Sequence, residues 1–279
     1  MATRRVIINA DDFGWSDGTT EGILRAHHGG VVSSTSIAAN MPAAPAAVRR
    51  LAEAPRLGVG VHLNASQGPP LSPAGAALAG PQGLMDRSAA GVVLACFARP
   101  RLVDAVEQEF DAQIRWVLDH GIRPTHLDTH RHAHAYAPIC GRVAALAQRY
   151  RIRFVRRYGE RLPGGGWPAA PAKQRAIARA LQLLGGRNAA RWPALHGTQG
   201  VWGVAHTGRI DARWLLLAAE RLPPGVTEIM THPGLPEGLA AGQTRLLESR
   251  RAELEALCDP AVRSAFAGPD LELVHYGNL

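Results

Sequence analysis

Val6-Ile7-Ile8-Asn9-Ala10 runs without a break into Asp11-Asp12-Phe13-Gly14. The first five residues have the apolar, partly β-branched character of a buried strand, and the carboxylates and glycine that follow mark its end. The same arrangement recurs downstream. Residues 57–63 read as a strand carrying His62 near its end, 124–128 as a strand that leads into His126-x-Asp128-x-His130-x-His132-x-His134, and 226–231 as a strand followed by His232-Pro233-Gly234. Residues 34–39, 152–155, 200–204 and 271–274 supply further short apolar runs. Between them lie segments with helical spacing: 19–28, 43–53, 104–120, 139–149, 174–184, 211–222 and 245–257. In 104–120, Val106, Phe110, Ile114, Val117 and Leu118 share one face, with Asp104 placed to cap the start and Gly121 to end it. Seven or eight β-then-α units imply a parallel sheet with helical crossovers. That number favours an irregular TIM-like (β/α) barrel over an open doubly wound sheet. No repeat or linker divides the chain, so residues 1–279 read as one domain, with a Gly- and Pro-rich loop over 66–91 and an irregular elaboration over 156–192.

Composition narrows the function classes. With 279 residues, 46% of them hydrophobic, the chain can bury one sizeable core. No run of about 18 uncharged apolar residues occurs, so no membrane span is expected. Met1-Ala2-Thr3-Arg4-Arg5 leads straight into a strand without a signal-peptide core, which makes the cytoplasm the expected location. Cys96, Cys140 and Cys258 show no C-x-x-C pattern and read as buried free thiols. Net charge is +8, but the arginines are dispersed and aromatics are only 5%, so no nucleic-acid stacking platform is visible.

The chemistry lies at the strand ends, where parallel α/β folds gather their ligand sites. In an Asp-Asp pair at such an end, one carboxylate can bind a divalent ion while its neighbour takes a proton from water. Taken alone, Asp11-Asp12 also suits a turn or helix cap, His62 a core histidine, and His232 a turn histidine bonded to backbone. If 126–134 stays extended, His126, Asp128, His130, His132 and His134 share one face; one or two imidazoles then bind metal and the rest orient ligands or hold substrate. Asp128, His132 and His134 are therefore candidate substrate contacts, and Asn64, just after His62, is a further candidate. A mixed Asp and His shell suits Zn2+, Mn2+, Co2+ or Fe2+ better than Ca2+, and Mg2+ is unusual beside two imidazoles. Neither a G-x-S-x-G elbow nor a P-loop is present.

These segments together resemble the YdjC/ChbG/HpnK family of carbohydrate deacetylases. The likeness is carried by Val6–Gly14, by Gly60-Val61-His62-Leu63 with Gly68-x-Pro70, by Thr125-His126-Leu127-Asp128-Thr129-His130 with His132 and His134, and by Thr227–Gly234, and it runs from residue 5 to about 258. It implies a TIM-like barrel and a hydrolase that removes acetyl from N-acetylglucosamine-containing sugars with one divalent ion, Mg2+ or Zn2+ foremost, Mn2+ or Co2+ otherwise. By the resemblance, Asp12, His62 and His130 are metal ligands, Asp11 the general base, and His232 the donor to the leaving amine. Arg131 stands where many relatives carry a third histidine. Asp128-Thr129-His130 is closer to the chito-oligosaccharide branch than to the hopanoid branch. A homodimer would be unsurprising. The rival readings are a deacetylase of a glycolipid such as an N-acetylglucosaminyl hopanoid, a phosphoesterase with two ions about 3.5–4 Å apart, and a sugar-binding protein without catalysis.

Overall fold

The computed structural model of the protein describes residues 4–239, 244 and 246–279; residues 1–3 and the expected helix start at 245 lie outside the described residues. In chain order the first half comprises β1 (Arg4–Phe13), α1 (Asp17–His28), β2 (Ser34–Ile37), α2 (Ala44–Arg50), β3 (Gly58–Leu63), β4 (Gln67–Gly68), β5 (Met85–Asp86), α3 (Ala89–Ala98) and α4 (Leu102–Asp119). The second comprises β6 (His126–Thr129), α5 (Ala137–Arg149), β7 (Phe154–Val155), α6 (Ala172–Arg191), β8 (Val201–Trp202), α7 (Ala212–Arg221), β9 (Gly225–Thr231), α8 (Leu247–Cys258), α9 (Pro260–Phe266) and β10 (Leu271–Leu273).

β1 organises the sheet. One edge pairs in parallel with β9 from Arg4 to Ala10; the other is shared by β10, opposite Arg4–Val6, and β2, opposite Asn9 to Phe13. The strand path β7-β6-β3-β2-β1-β9-β8 curls as a half-barrel flanked by helices, an incomplete TIM-like barrel. Among the described residues its end strands, β7 and β8, do not pair. Side chains alternate along β1 as the pleat requires. Val6, Ile8 and Ala10 join the main core beneath the helices with Ile23 and Leu24 of α1. Ile7 faces inward, in a cluster with Phe154, Val226, Val274 and Tyr276. The inward row therefore continues through Asn9 to Asp11.

Several expectations are corrected. Residues 66–91 are not one loop: β4 and β5 form a short antiparallel hairpin, and α3 begins at Ala89 behind a Ser88 cap. Asp104 does not cap α4, which is entered through Arg101; its carboxylate meets Arg142 at 2.6 Å. α6 runs well beyond 174–184, and α9 follows an Asp259 cap that the spacing did not reveal. The histidine ladder is not extended. β6 stops at Thr129, and Arg131 and His132 turn through left-handed backbone at φ 53° and 62°. No helix among the described residues is long and apolar enough to cross a membrane.

Gly60 explains why a buried strand tolerates a residue of poor strand propensity: a Cβ there would stand 2.5 Å from His126 Nδ1, on an imidazole already stacked on Tyr276. Gly60→Ala should lower stability by about 1–3 kcal/mol through overpacking. Urea denaturation checks this against Gly165→Ala, where nothing lies within 4 Å and little change is expected.

Candidate active site

Adjacent side chains on a regular strand point to opposite faces, so two neighbouring carboxylates reach one site only if the strand is deformed. The deformation is present: Asp12 has φ 73°, and the β1–β2 register shifts between Ala10 and Phe13. Asp tolerates this region better than most residues. The turn is closed by the Trp15 amide donating to the Asp12 carbonyl at 3.0 Å.

The shift brings Asp12 against His62, at the end of β3, and His130, just beyond β6. His62 Nε2 lies 3.4 Å from Asp12 Oδ1 and 3.2 Å from His130 Nδ1, and His130 Nδ1 lies 3.5 Å from Asp12 Oδ1. Asp12 Oδ1 is buried without a hydrogen-bond donor. Ligands held about 2.0–2.1 Å from a tetrahedral ion stand about 3.3–3.4 Å apart, so the triangle of donor atoms fits one divalent ion. The charge balance agrees. Burial would raise the pKa of Asp12, but Arg250, which contacts Oδ2, holds it well below the usual carboxylate range.

Groups behind the triangle aim its members. Asp128 Oδ1 lies 2.8 Å from His62 Nδ1 and its Oδ2 accepts from Ser36 at 3.0 Å. A carboxylate behind a metal-facing imidazole sets the tautomer and raises the basicity of the other nitrogen. Burial pushes His62 down, but Asp128 and the Asp pair outweigh it and hold the ring up at about 9. Trp15 packs on His130 with ring centres 4.6 Å apart.

Asp11 belongs to a second network. Arg156, directly after β7, grips both its oxygens, Nη1 to Oδ2 at 2.7 Å and Nη2 to Oδ1 at 2.6 Å, and Asn9 donates to Oδ1 at 2.8 Å. The same guanidinium meets Asp128 at 2.9 Å and Glu228 at 2.8 Å, and Tyr276 donates to Glu228 at 2.6 Å. Burial alone would raise Asp11; Arg156 reverses this and leaves it ionised at neutral pH. Asp11, His62 and Asp128 also lie within metal-ligand reach of one another, but Arg156 already bridges both carboxylates, so this group does not fit a second ion.

His232 follows β9. Its amide donates to Glu253 Oε1 at 3.1 Å, its Nδ1 is buried without a partner, and burial pushes the ring down to about 4. His132 is half-buried, edge-on to Tyr158 with an unpartnered Nδ1. Three expected substrate contacts are instead spent on the protein. Asp128 is fully buried behind His62. His134 is buried between Thr129 Oγ1 at 2.6 Å and the Arg156 carbonyl at 3.0 Å. Asn64 is fully buried and organises the 64–67 turn, accepting from the Ser66 and Gln67 amides at 3.0 and 3.1 Å. Arg156, Glu228, Arg250, Glu253 and Gln67 escaped the sequence reading. Only for Glu228, a lone charge inside an apolar strand, was a signal present.

The YdjC-like protein family matches residues 5–268. A carbohydrate deacetylase of Geobacillus stearothermophilus is 31% identical, covering 98% of this chain and 97% of the relative. A human carbohydrate deacetylase is 32% identical over 96% of this chain and 89% of its own. A crystal structure from Enterococcus faecalis V583, described as a cellobiose-phosphate cleavage protein, shares the fold at TM-score 0.77 and 24% identity, with 99% of both chains covered. The match across nearly the whole chain shows that this protein belongs to the YdjC-like family.

Proposed function

We propose that the protein is a metal-dependent carbohydrate N-deacetylase that hydrolyses the acetamide of an N-acetylglucosamine-containing sugar, of chito-oligosaccharide type, to acetate and the free amine. The observation that carries this reading is the convergence of Asp12 Oδ1, His62 Nε2 and His130 Nδ1 within 3.5 Å of one another, beside an ionised carboxylate held apart from them. The deacetylase names of relatives that span the chain support it.

Asp12, His62 and His130 would hold one divalent ion, Mg2+ or Zn2+ first, with Mn2+ or Co2+ as substitutes. Such an ion supplies Lewis acidity, polarising an amide carbonyl and lowering the pKa of water. Asp11, locked by Arg156 in one orientation and ionised, accepts the proton of the attacking water. His232 enters neutral, because burial keeps it near 4. A neutral imidazole serves the leaving amine by taking up the proton Asp11 removed and passing it on, so His232 works as a shuttle. His132, with its unpartnered nitrogen, is the remaining candidate for a sugar hydroxyl.

Asp11→Asn should lower kcat/KM for acetate release by roughly 10²–10⁴-fold, the span of general-base catalysis, while metal content stays at wild type. Asp12→Asn should lose metal. Acetate release from metal-loaded protein, screened over chito-oligosaccharides, N-acetylglucosamine and glycolipid head groups, with metal analysis of both variants, tests the division; near-wild-type turnover by Asp11→Asn would falsify it.

A pH dependence follows from His62. Its metal-free pKa is raised to about 9, so at neutral pH Nε2 carries a proton that an ion must displace. Binding should release about one proton, and affinity should fall about tenfold per pH unit below 9, faster once His130 also protonates. Calorimetric Zn2+ titrations in buffers of different ionisation enthalpy measure the proton count. A count of zero at pH 7 would contradict the site.

A further inference from the structure

His130 offers Nδ1 to the triangle, whereas His62 offers Nε2, so the two imidazoles need opposite tautomers. For His62, Asp128 makes that choice. For His130 the group in contact with the far nitrogen is a neutral amide: Gln67 Oε1, on the β4–β5 hairpin, lies 3.1 Å from His130 Nε2. An amide could present either end to an imidazole and so select neither tautomer. Arg131 removes that freedom. Its Nη2 donates to the same Gln67 oxygen at 2.8 Å, and its Nη1 donates to the Arg87 carbonyl at 2.8 Å. A guanidinium can only donate, so the atom it meets must be the amide oxygen. That oxygen in turn requires a proton on His130 Nε2, which leaves the Nδ1 lone pair facing Asp12 and His62.

We propose that Arg131 and Gln67 act as a tautomer relay that makes His130 an Nδ1 metal ligand, with Gln67 as positioning residue and Arg131 setting the direction of its amide. The role rests on the metal-site reading above. It also accounts for the left-handed backbone at Arg131, φ 53°, which turns this side chain back over the hairpin instead of along the strand. Asn40 and Asn64 donate to the Gln67 carbonyl at 2.9 and 2.8 Å, anchoring the residue's backbone.

The experiment joins a tautomer readout to a metal readout. In metal-free wild-type protein with ¹⁵N-labelled histidine, long-range ¹H–¹⁵N correlation should show the His130 proton on Nε2. Zn2+ affinity, measured by chelator competition, should fall roughly 10–100-fold in Gln67→Leu. Gln67→Glu keeps an acceptor for both donors and should stay within about threefold of wild type. Arg131→Met should lie between the two, with a mixed tautomer signal. A wild-type His130 protonated on Nδ1 overturns the relay whatever the variants do, and so does Gln67→Leu binding Zn2+ as tightly as wild type. Wild-type protein that takes up neither Zn2+ nor Mn2+ would instead overturn the metal-site reading, and the relay's claim on His130 is still decided by the spectrum.

Discussion

A single buried guanidinium governs the interior of this barrel. Arg156 is 1% exposed and meets carboxylates from three strands: Asp11 of β1, Asp128 of β6 and Glu228 of β9. An ion in that position is tolerated only when paired and fully hydrogen-bonded, and removing one partner of such a group typically costs about 3–5 kcal/mol. The interaction therefore does two jobs with one geometry. It ties β6 to β1 and β9, neither of which is its neighbour in the sheet, and it fixes Asp11 and Asp128 relative to each other. Because Asp128 orients His62 and Asp11 stands beside Asp12, both halves of the candidate chemistry are referred to one side chain. Below it, Tyr276 and Glu228 continue the polar column, and burial keeps Glu228 easier to protonate than an ordinary glutamate.

Strain gathers at the same place. Among the described residues, four non-glycine residues have positive φ: Asp12, Arg131 and His132 belong to the site or its rim, and Arg151 lies elsewhere. Such conformations cost of order 1–3 kcal/mol each and persist where surrounding contacts over-determine them. Those contacts are identifiable. Arg250 holds Asp12 from α8. Thr129 Oγ1 accepts the His134 amide at 3.1 Å, and Asn188 of α6 donates to the His134 and Ala135 carbonyls at 3.1 and 3.2 Å. α6 thus buttresses the histidine turn, which gives the 156–192 elaboration a structural task next to the site.

The strands and the polar residues that end them were legible because an apolar run that stops at a carboxylate or imidazole is a local pattern. Val6 to Asp12, His62 and Thr231-His232 all have that form. The direction of the chain beyond a strand end was not legible. His126 to His134 read as one extended face, yet the left-handed residues Arg131 and His132 carry no glycine to announce a turn, and only tertiary contacts hold them. That is why His134, expected on the substrate side, is a buried support; Asp128 is one for another reason, its place on β6 opposite His62, which takes up its carboxylate. Arg156 and Arg250 were hidden differently: in a chain whose basic residues are nearly all arginine, residue type does not distinguish a core cation from a surface one, and only burial does. α3 escaped because Ala89–Ala98 is apolar on every side and lacks the alternation that marks an amphipathic helix.

The open seam of the barrel shows how side chains can substitute for a missing ladder. β7 and β8 are each only two residues long and do not pair among the described residues. The segment after β7 bridges them instead. The Arg156 amide continues the β6 ladder at Leu127, 2.9 Å away, while its guanidinium reaches β9. Four residues on, Glu160 accepts the Gly203 and Ala205 amides beyond β8 at 2.7 and 2.9 Å. A backbone ladder would have closed the wall with its inward positions dictated by the pleat. Here the Glu160 carboxylate makes the link to the residues beyond β8, while the β6 side of the segment keeps its backbone ladder. Phe154 faces inward with Ile7 and Val155 faces the helices, so the same pleat carries Arg156 into the centre, and the arrangement of Asp11, Asp128 and His62 depends on it.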